Sequence, residues 1–514
     1  MLFAYDIHEV MLDGHHLTLE EVVAVARFHA RVSFSADALS AMARSRTAVE
    51  ELLRENKPVY GINTGFGSLS GVSIFGEEAS LLQNNLILSH AVGCGQPLPC
   101  EAVRAVMLLR ANALCQGYSG IRPELVMTLK DMLNVGVHPV VPEKGSLGAS
   151  GDLAPLAHVA LVMLGYGQAE LQGSVMPGLQ AMKTAGLGIH SLQAKEGLAL
   201  INGTQATCAV GSLALYDTLQ AAQLADIAAS FTMEALLGRI DAFDERIHSL
   251  RPHAGQQMVA RNIRLLCAGS SLMQDAGSLR VQDAYSLRCV PQVHGAVRDT
   301  LDHVRKVMEI EFNSVTDNPL IFPFDKAVIS GGNFHGEPLA MAFDFLGIAA
   351  AELAGISERR LERMVNPQLS EGLPAFLVHY SGVNSGMMIL QYTAASMVSE
   401  NKVLAHPASV DSIPSSANQE DHVSMGMTAA RKARLIVENT LSVIALEIMA
   451  AAQAVDLRGG EPSRPHQRLH ALIRESIPFL SQDRELRLDV NQINELVRSG
   501  LILKLTAQNL AAFC

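Results

Sequence analysis

The segment ARKARLIVENTLSVIALEIMAAAQAV, residues 430–455, indicates the fold class most directly. Ala, Leu, Ile and Met fill most of its positions, and few polar residues interrupt them. These residue types favour helix, and a helix that is apolar on nearly every side belongs inside a bundle or at a subunit interface. The segment therefore predicts a long buried helix over residues 428–455.

Two further segments predict long helices, over residues 204–238 and 338–364. Three extended helices in one chain favour an all-α fold built on a central helical bundle. Loops rich in Gly, Asn and Pro separate these helices, and such loops on a helical scaffold commonly carry functional residues. We therefore divide the chain into an N-terminal region, residues 1–200, and a bundle with a C-terminal helical region, residues 201–514.

The first 140 residues predict shorter helices joined by loops. In SADALSAMARSRTAVEELLREN, Ser35 is the expected N-cap, because its hydroxyl can accept a hydrogen bond from a free amide of the first turn. In IRPELVMTLKDMLNVG, Pro123 suits the first turn and Gly136 suits the position after the last.

The 514 residues carry 51 acidic and 39 basic side chains, for a formal net charge of −12. This balance disfavours a nucleic acid or an anionic membrane as partner. The seven cysteines include no C-x-x-C pair, which is typical of reduced thiols in a cytoplasmic protein. The N-terminus has no signal-peptide pattern, and the most apolar stretches are short or contain His or acidic residues. We expect a cytoplasmic protein without a membrane span.

The loop EKGSLGASGDLAPLAH, residues 143–158, places Gly145, Gly148 and Gly151 three residues apart. A turn before a helix is the ordinary interpretation of such spacing. A phosphate-binding loop is a weaker one, because the G-x-x-x-x-G-K-[ST] pattern and the strand of a dinucleotide fingerprint are both missing.

A third interpretation is covalent and involves the triplet Ala149-Ser150-Gly151. Gly151 offers an unhindered backbone nitrogen to the carbonyl carbon of Ala149, and only very small residues tolerate the tight bend that joins them. The Ser150 hydroxyl can leave as water, which produces a ring with an exocyclic methylene. Such a ring is an electrophile, a kind of group that no ordinary side chain supplies.

GSLGASGDLAPLAH resembles the signature of the aromatic amino-acid ammonia-lyases, and most closely that of their histidine-specific members. In that family the Ala-Ser-Gly triplet cyclises to 4-methylidene-imidazol-5-one (MIO). The resemblance extends from about residue 17 to residue 459, with several motifs in the same order. It implies a fumarase/aspartase-like helical architecture, MIO formed from Ala149, Ser150 and Gly151, and no external cofactor.

The motifs VYGINTGFG, LSHAVGCG, LALINGTQ, VQDAYSLRC, GGNFHGEP and SANQEDHVSM carry the family's site residues. The resemblance implies a catalytic set of Tyr60, Tyr285 and Glu420. It implies a substrate-binding set of His90, Asn202, Gln282, Arg288, Phe334 and Glu420. Tyr60 is the expected general base, and Arg288 is the expected partner of the substrate carboxylate.

Several of these residues have an ordinary structural alternative. Tyr60 suits a loop anchor, His90 a helix end, Asn202 a cap and Arg288 a structural ion pair. The pair His335 and Glu337, like the run of residues 420–422, suggests a metal only weakly, because neither belongs to an established ligand pattern. We expect no metal.

The resemblance implies conversion of L-histidine to trans-urocanate and ammonia by a homotetramer with shared active sites. Glu420 favours histidine, because a carboxylate pairs with an imidazole, whereas phenylalanine-acting relatives generally carry Gln at that position. A tyrosine or phenylalanine ammonia-lyase or 2,3-aminomutase is the alternative within the family. An enzyme of the fumarase and argininosuccinate-lyase group is a different-class alternative, although that group lacks the Ala-Ser-Gly triplet. A non-enzymatic helical scaffold does not explain the polar glycine-rich loops.

Overall fold

The structure of the chain is a computed structural model that describes residues 4–55, 61–64, 74, 77–274, 279–509 and 513. Helices dominate it, as predicted. Their bounds are α1 Leu19–Phe28, α2 Ala36–Arg54, α3 Glu77–His90, α4 Cys100–Cys115, α5 Pro123–Val135, α6 Leu153–Met163, α7 Gly178–Thr184, α8 Glu196–Ile201, α9 Gln205–Ala235, α10 Glu245–Ser249, α11 Ala254–Leu266, α12 Tyr285–Arg288, α13 Val290–Phe312, α14 Glu337–Val365, α15 Met388–Leu404, α16 Gly426–Arg458, α17 Arg464–Arg474, α18 Leu486–Arg498 and α19 Leu501–Asn509.

Short strands form four small sheets in the described part of the chain. Strand β1 (Glu9–Leu12) pairs in parallel with β2 (Arg31–Phe34), and the other sheets are antiparallel. Their remaining strands are β3 Cys94–Pro97, β4 Val137–Pro139, β5 Pro142–Lys144, β6 Gln168–Leu171, β7 Ser174–Pro177, β8 Leu320–Phe322 and β9 Ala327–Ile329. Each strand has three or four residues, so the sheets are minor additions to a helical fold.

The helix ends follow their local sequence. Ser35 caps α2 by accepting a hydrogen bond from the amide of Ala38. Pro123 is the first residue of α5, and Gly136 ends that helix in the left-handed region, with φ +80°. These caps confirm the sequence expectations.

The three long predicted helices are present as α9, α14 and α16, with 31, 29 and 33 residues. The second half of α16 is almost wholly buried, including Ile444, Leu446 and Met449. This burial agrees with the apolar character of the segment.

The chain forms two compact units. Unit 1 contains residues 1–216, 305–344 and 407–431. Unit 2 contains residues 217–304, 345–406 and 432–514. The division of the sequence at residue 200 stays a prediction.

Two helices, α14 and α16, are long and apolar enough to cross a membrane by length and composition alone. Within their most apolar windows, 67% and 78% of the residues are buried in the protein. A core helix of a globular protein meets the same criterion, and such burial is typical of one.

Candidate active site

The Ala149-Ser150-Gly151 triplet lies in unit 1, directly before α6. Two positions of this segment have a backbone conformation that favours glycine. Gly148 and Gly151 have φ +67° and +73°, a region that other residues rarely adopt. A Cβ atom on Gly151 would lie 2.3 Å from the carbonyl oxygen of Gly203. Ala149 and Gly151 are buried, and Ser150 is partly exposed. This segment therefore has the tight bend and the small residues that ring closure requires.

Asn202 lies against the middle residue of the triplet. Its Nδ2 donates to the carbonyl oxygen of Ser150 at 2.9 Å and to the Ser150 hydroxyl oxygen at 2.7 Å. The Oδ1 atom of Asn202 is buried and has no hydrogen-bond partner in the part of the chain that the structure describes. Asn202 is the C-cap of α8 through its backbone amide, which donates to the Leu198 carbonyl, and its side chain is directed to Ser150.

Asp152 connects the triplet to the start of α9. One of its carboxylate oxygens accepts hydrogen bonds from the Ser146 and Thr207 hydroxyls, at 2.6 and 2.7 Å, and the other accepts from the Thr207 amide at 2.7 Å. Burial raises the pKa of the carboxyl, and these hydrogen bonds oppose the shift. The Asp152 amide donates to the Gly203 carbonyl at 2.6 Å, so the triplet and the Gly203 turn are held together on both sides.

The loop before α16 also contacts the triplet segment. The amide of Met425 donates to the Leu147 carbonyl at 2.9 Å, and the Ser424 hydroxyl donates to the Gly148 carbonyl at 3.2 Å. These bonds place Ser424 and Met425 next to the glycine loop within unit 1.

His90 and Glu420 influence each other electrostatically. His90 is the last residue of α3. Burial lowers the pKa of its imidazole, and the negative charge of the Glu420 carboxylate opposes that shift. The His90 imidazole is therefore neutral at pH 7, with one donor and one acceptor nitrogen. Its Nδ1 lies 3.0 Å from the Ser89 hydroxyl.

Glu420 is held by an unusual turn. The Ser415 hydroxyl donates to its carboxylate at 2.9 Å, and the backbones of Ser415 and Glu420 form an antiparallel bridge. Three consecutive residues between them, Ser416, Ala417 and Asn418, have φ of +50°, +53° and +65°. Left-handed backbone in residues other than glycine persists where the surrounding structure enforces it, and it often accompanies function.

Gln282, Tyr285 and Arg288 belong to unit 2, at and before the short helix α12. The Arg288 guanidinium lies over the Tyr285 ring, 4.7 Å from its centroid. The Nε of Arg288 is buried and has no hydrogen-bond partner among the described residues. Tyr285 is 71% exposed, and Gln282 is exposed too.

Tyr60 lies outside the described residues, although Gly61 after it is described. A Cβ on Gly61 would lie 2.8 Å from Pro319 and 2.9 Å from Leu198, so the chain after Tyr60 runs close to these two residues of unit 1. Phe334 is half-buried just before α14. Its neighbour His335 places one ring nitrogen 3.2 Å from the His422 carbonyl, and the other accepts from the Glu337 amide at 3.3 Å. Both nitrogens of His335 are thereby engaged.

The family model for aromatic amino acid lyases matches residues 17–475 of the chain. The chain belongs to the aromatic amino acid lyase family. It is 57% identical to the histidine ammonia-lyase of Alkaliphilus metalliredigens over 95% of this chain and 96% of that protein. Its structure superposes on that of histidine ammonia-lyase from Trypanosoma cruzi with a TM-score of 0.91 and 43% identity, covering 97% and 95% of the two chains. For tyrosine aminomutase from Streptomyces globisporus, the TM-score is 0.94 and the identity 38%, over 97% and 98%.

In this member of the aromatic amino acid lyase family, one described group of side chains has the ligand types of a metal site. Cys100, His138 and Glu170 place their ligand atoms within 4.8 Å of one another. However, Arg104 donates to His138 Nε2 at 3.0 Å. Its cationic guanidinium opposes a metal cation on the same ring, so we assign no metal there.

Sequence reasoning missed several residues that hold the site of this aromatic amino acid lyase. Asp152 and Gly203 stand inside quoted motifs, and their position beside Gly151 and Asn202 was a usable signal. Ser415 and Ser424 gave no such signal, because their roles depend on contacts with the turn at Glu420 and with Gly148.

Proposed function

We propose that this protein is a histidine ammonia-lyase that converts L-histidine to trans-urocanate and ammonia. The observation that carries the proposal is the Ala149-Ser150-Gly151 triplet, held by Asn202 in a backbone that excludes larger residues. The relatives named histidine ammonia-lyase, at 52–57% identity over nearly the whole chain, support histidine as the substrate.

We further propose that the triplet matures to MIO without an external cofactor. The Gly151 nitrogen bonds to the Ala149 carbonyl carbon, and the carbonyl oxygen leaves as water with the amide hydrogens of Ser150 and Gly151. The Ser150 hydroxyl leaves as a second water with the Cα hydrogen, and a Cα=CH₂ bond remains. The hydrogen bonds from Asn202 fit the second of these steps, because they stabilise the negative charge that develops on the Ser150 carbonyl oxygen as the Cα proton leaves and on the hydroxyl oxygen as it departs.

The methylidene group supplies the electrophile that activates the substrate for loss of ammonia. The other groups of the chain bind the substrate and move its proton. The Arg288 guanidinium binds the substrate carboxylate through its planar fork. Tyr60 removes the β-proton, with Tyr285 as the second candidate, and Gln282 and Phe334 complete the binding site.

His90 and Glu420 recognise the imidazole ring of the substrate. A neutral histidine and a carboxylate together offer partners for both the N–H and the unprotonated nitrogen of that ring. The turn that fixes Glu420 through Ser415 supports this role, since a carboxylate that selects a ring must hold its position.

A homotetramer in the cytoplasm, with active sites shared between subunits, is the proposed assembly. It would use the apolar side chains that the isolated chain exposes along α14, which include Met341, Phe345 and Ile348 at 40–47% exposure. Exposed apolar groups at this helical spacing are typical of an interface. The proposed substrate is a small molecule, with no nucleic acid or membrane partner.

A tyrosine or phenylalanine ammonia-lyase or aminomutase is the second candidate. The similarity to tyrosine aminomutase, with a TM-score of 0.94, favours it. Glu420 argues against phenylalanine as the substrate, because a phenyl ring has no N–H group to donate to this carboxylate.

The test is production of trans-urocanate and ammonia by purified protein supplied with L-histidine and no added cofactor. Ser150→Ala keeps the size of the residue nearly constant but removes the leaving hydroxyl. We expect the wild type to form both products and the variant to form neither. A variant with near wild-type activity contradicts the proposed origin of the electrophile.

A further inference from the structure

The short helix α8 leads directly into Asn202 and has little stability of its own. It has six residues, whereas isolated helices below about 12–15 residues are marginal in water. The contact between Asn202 and Ser150 therefore depends on groups outside α8 that hold the helix in place.

Two side chains from unit 1 bind the backbone of α8. Gln83 Oε1 accepts from the amides of Gly197 and Leu198, at 2.9 and 3.2 Å, and so caps the first turn. The Arg110 Nε donates to the Ala199 carbonyl at 3.0 Å. Gln83 belongs to α3, the helix that ends at His90, and both anchoring side chains are buried.

An ion pair holds the residue from which α8 starts. Lys195 Nζ donates to Asp317 Oδ2 at 2.7 Å, and the side chains are 0% and 1% exposed. Lys195 has φ +73°, which is strained for a residue other than glycine and persists only where neighbouring contacts enforce it. The Asp317 carboxylate also accepts from the Asn318 amide at 2.7 Å, so its orientation is fixed as well.

A fully buried ion pair is a poor device for stability alone, because desolvation of both charges offsets much of their attraction. A specific geometric role explains its presence better. We propose that Lys195 and Asp317 are positioning residues for maturation of the triplet: their ion pair fixes the start of α8 so that Asn202 meets Ser150. The inference rests on the proposed function, since it concerns how the same triplet matures.

The test compares intact masses of freshly purified, folded protein. Matured chains are two waters lighter than the translated sequence. Wild type reports on the proposed function itself: if it keeps its full mass, the proposed function fails before any variant is considered. Given a matured wild type, Lys195→Met and the double variant Lys195→Met/Asp317→Asn test the inference.

We expect folded variant protein to contain mainly unclosed chains, meaning chains that have not lost both waters, with maturation slower on the order of 10²-fold, the usual effect of ångström-scale misplacement. The double variant removes both charges and so leaves no unpaired buried ion, yet it too should remain unclosed. If the double variant is unclosed but has wild-type secondary structure, the ion pair acts by positioning Asn202 and not by stabilising the fold as a whole.

Arg360→Met is the matched control. Arg360 and Glu447 form an ion pair in unit 2 at 2.6 Å, and both side chains are 0% exposed. Folded Arg360→Met protein should be fully closed. Complete ring closure in folded Lys195→Met or in the folded double variant overturns the inference. Failure of both of these variants to fold also overturns the inference, because the ion pair would then be needed for folding. A control variant that contains as many unclosed chains as the Lys195 variants overturns it as well.

Discussion

Asn202 Nδ2 donates to two oxygens of a single residue, the Ser150 carbonyl at 2.9 Å and the Ser150 hydroxyl at 2.7 Å. The Asn202 amide thus contacts the Ser150 hydroxyl oxygen, which leaves as water. It also contacts the Ser150 carbonyl oxygen, which lies next to the Cα atom that loses its proton. The next residue, Gly203, meets Gly151 backbone to backbone. The proposed maturation depends on this close approach of two segments that are distant in sequence.

Gly203→Ala should disturb the approach. A Cβ there would lie 2.3 Å from Gln205 Oε1, 2.5 Å from an Arg110 nitrogen and 2.7 Å from Thr316 Oγ1. Overpacking of this kind lowers the free energy of unfolding by about 1–3 kcal/mol. Chemical denaturation measures that loss, and intact mass measures ring closure. Gly188→Ala is the control, because nothing lies within 4 Å of its Cβ position. Equal behaviour of the two variants would refute the steric argument.

Tyr60→Phe tests the general base. The variant removes one hydroxyl and should lower kcat for L-histidine on the order of 10²–10⁴-fold, the usual value of a general base. Its mass should still show the closed ring, since the bonds made and broken in maturation belong to Ala149, Ser150 and Gly151 alone. Unchanged turnover with a closed ring would transfer the role to Tyr285, which Tyr285→Phe then examines.

Glu420→Gln tests recognition of the imidazole. The amide keeps the size of the side chain but loses the charge, and a hydrogen bond to a charged group contributes about 1.5–3 kcal/mol. We expect kcat/KM for histidine to fall about 10- to 100-fold. Asp421→Asn, at the exposed neighbouring position, is the control and should leave kinetics unchanged. A Glu420→Gln enzyme with wild-type constants would remove Glu420 from the site.

His138 should make the fold sensitive to acid. Burial, aided by Arg104, lowers the pKa of His138 to about 4. An unfolded histidine titrates near pH 6.5, so between these values the unfolded state binds more protons. His138 therefore contributes fully to the free energy of unfolding above about pH 6.5. This contribution, up to about 3 kcal/mol, is lost as the pH falls towards 4.

The measurement for His138 is urea denaturation at pH 7 and pH 5. His138→Phe should reduce the difference in unfolding free energy between the two pH values, whereas His8→Asn, at an exposed position, should not. An unchanged pH difference in His138→Phe would mean that this histidine does not resist protonation in the folded state.

Much of the helical fold could be predicted because its signals are local. Residues 428–455 predict a helix, and α16 extends over Gly426–Arg458, since apolar composition and high propensity act along one segment. The strands escaped prediction because each has only three or four residues and gains its stability from a distant partner. The hairpin of β6 and β7 also escaped prediction, although Gln172 and Gly173, with φ +53° and +78°, form a two-residue turn between its strands.

The residues of the site also include some that a local motif predicts and some that only the folded chain brings together. The Ala149-Ser150-Gly151 triplet is local and its chemistry could be reasoned from three residues. The partners that hold it are remote in sequence: Asn202 is 52 positions from Ser150, and Lys195 is 122 from Asp317. Nothing in either residue alone indicates its partner, so such pairs require the folded chain.

The most direct test of the account is the steady-state kcat/KM of the wild-type enzyme for L-histidine, L-tyrosine and L-phenylalanine. Phenylalanine would leave His90 and Glu420 without partners, at about 1–3 kcal/mol for each buried group. We therefore predict a preference for histidine of roughly 10²-fold or more. Equal or higher kcat/KM for tyrosine or phenylalanine would contradict it.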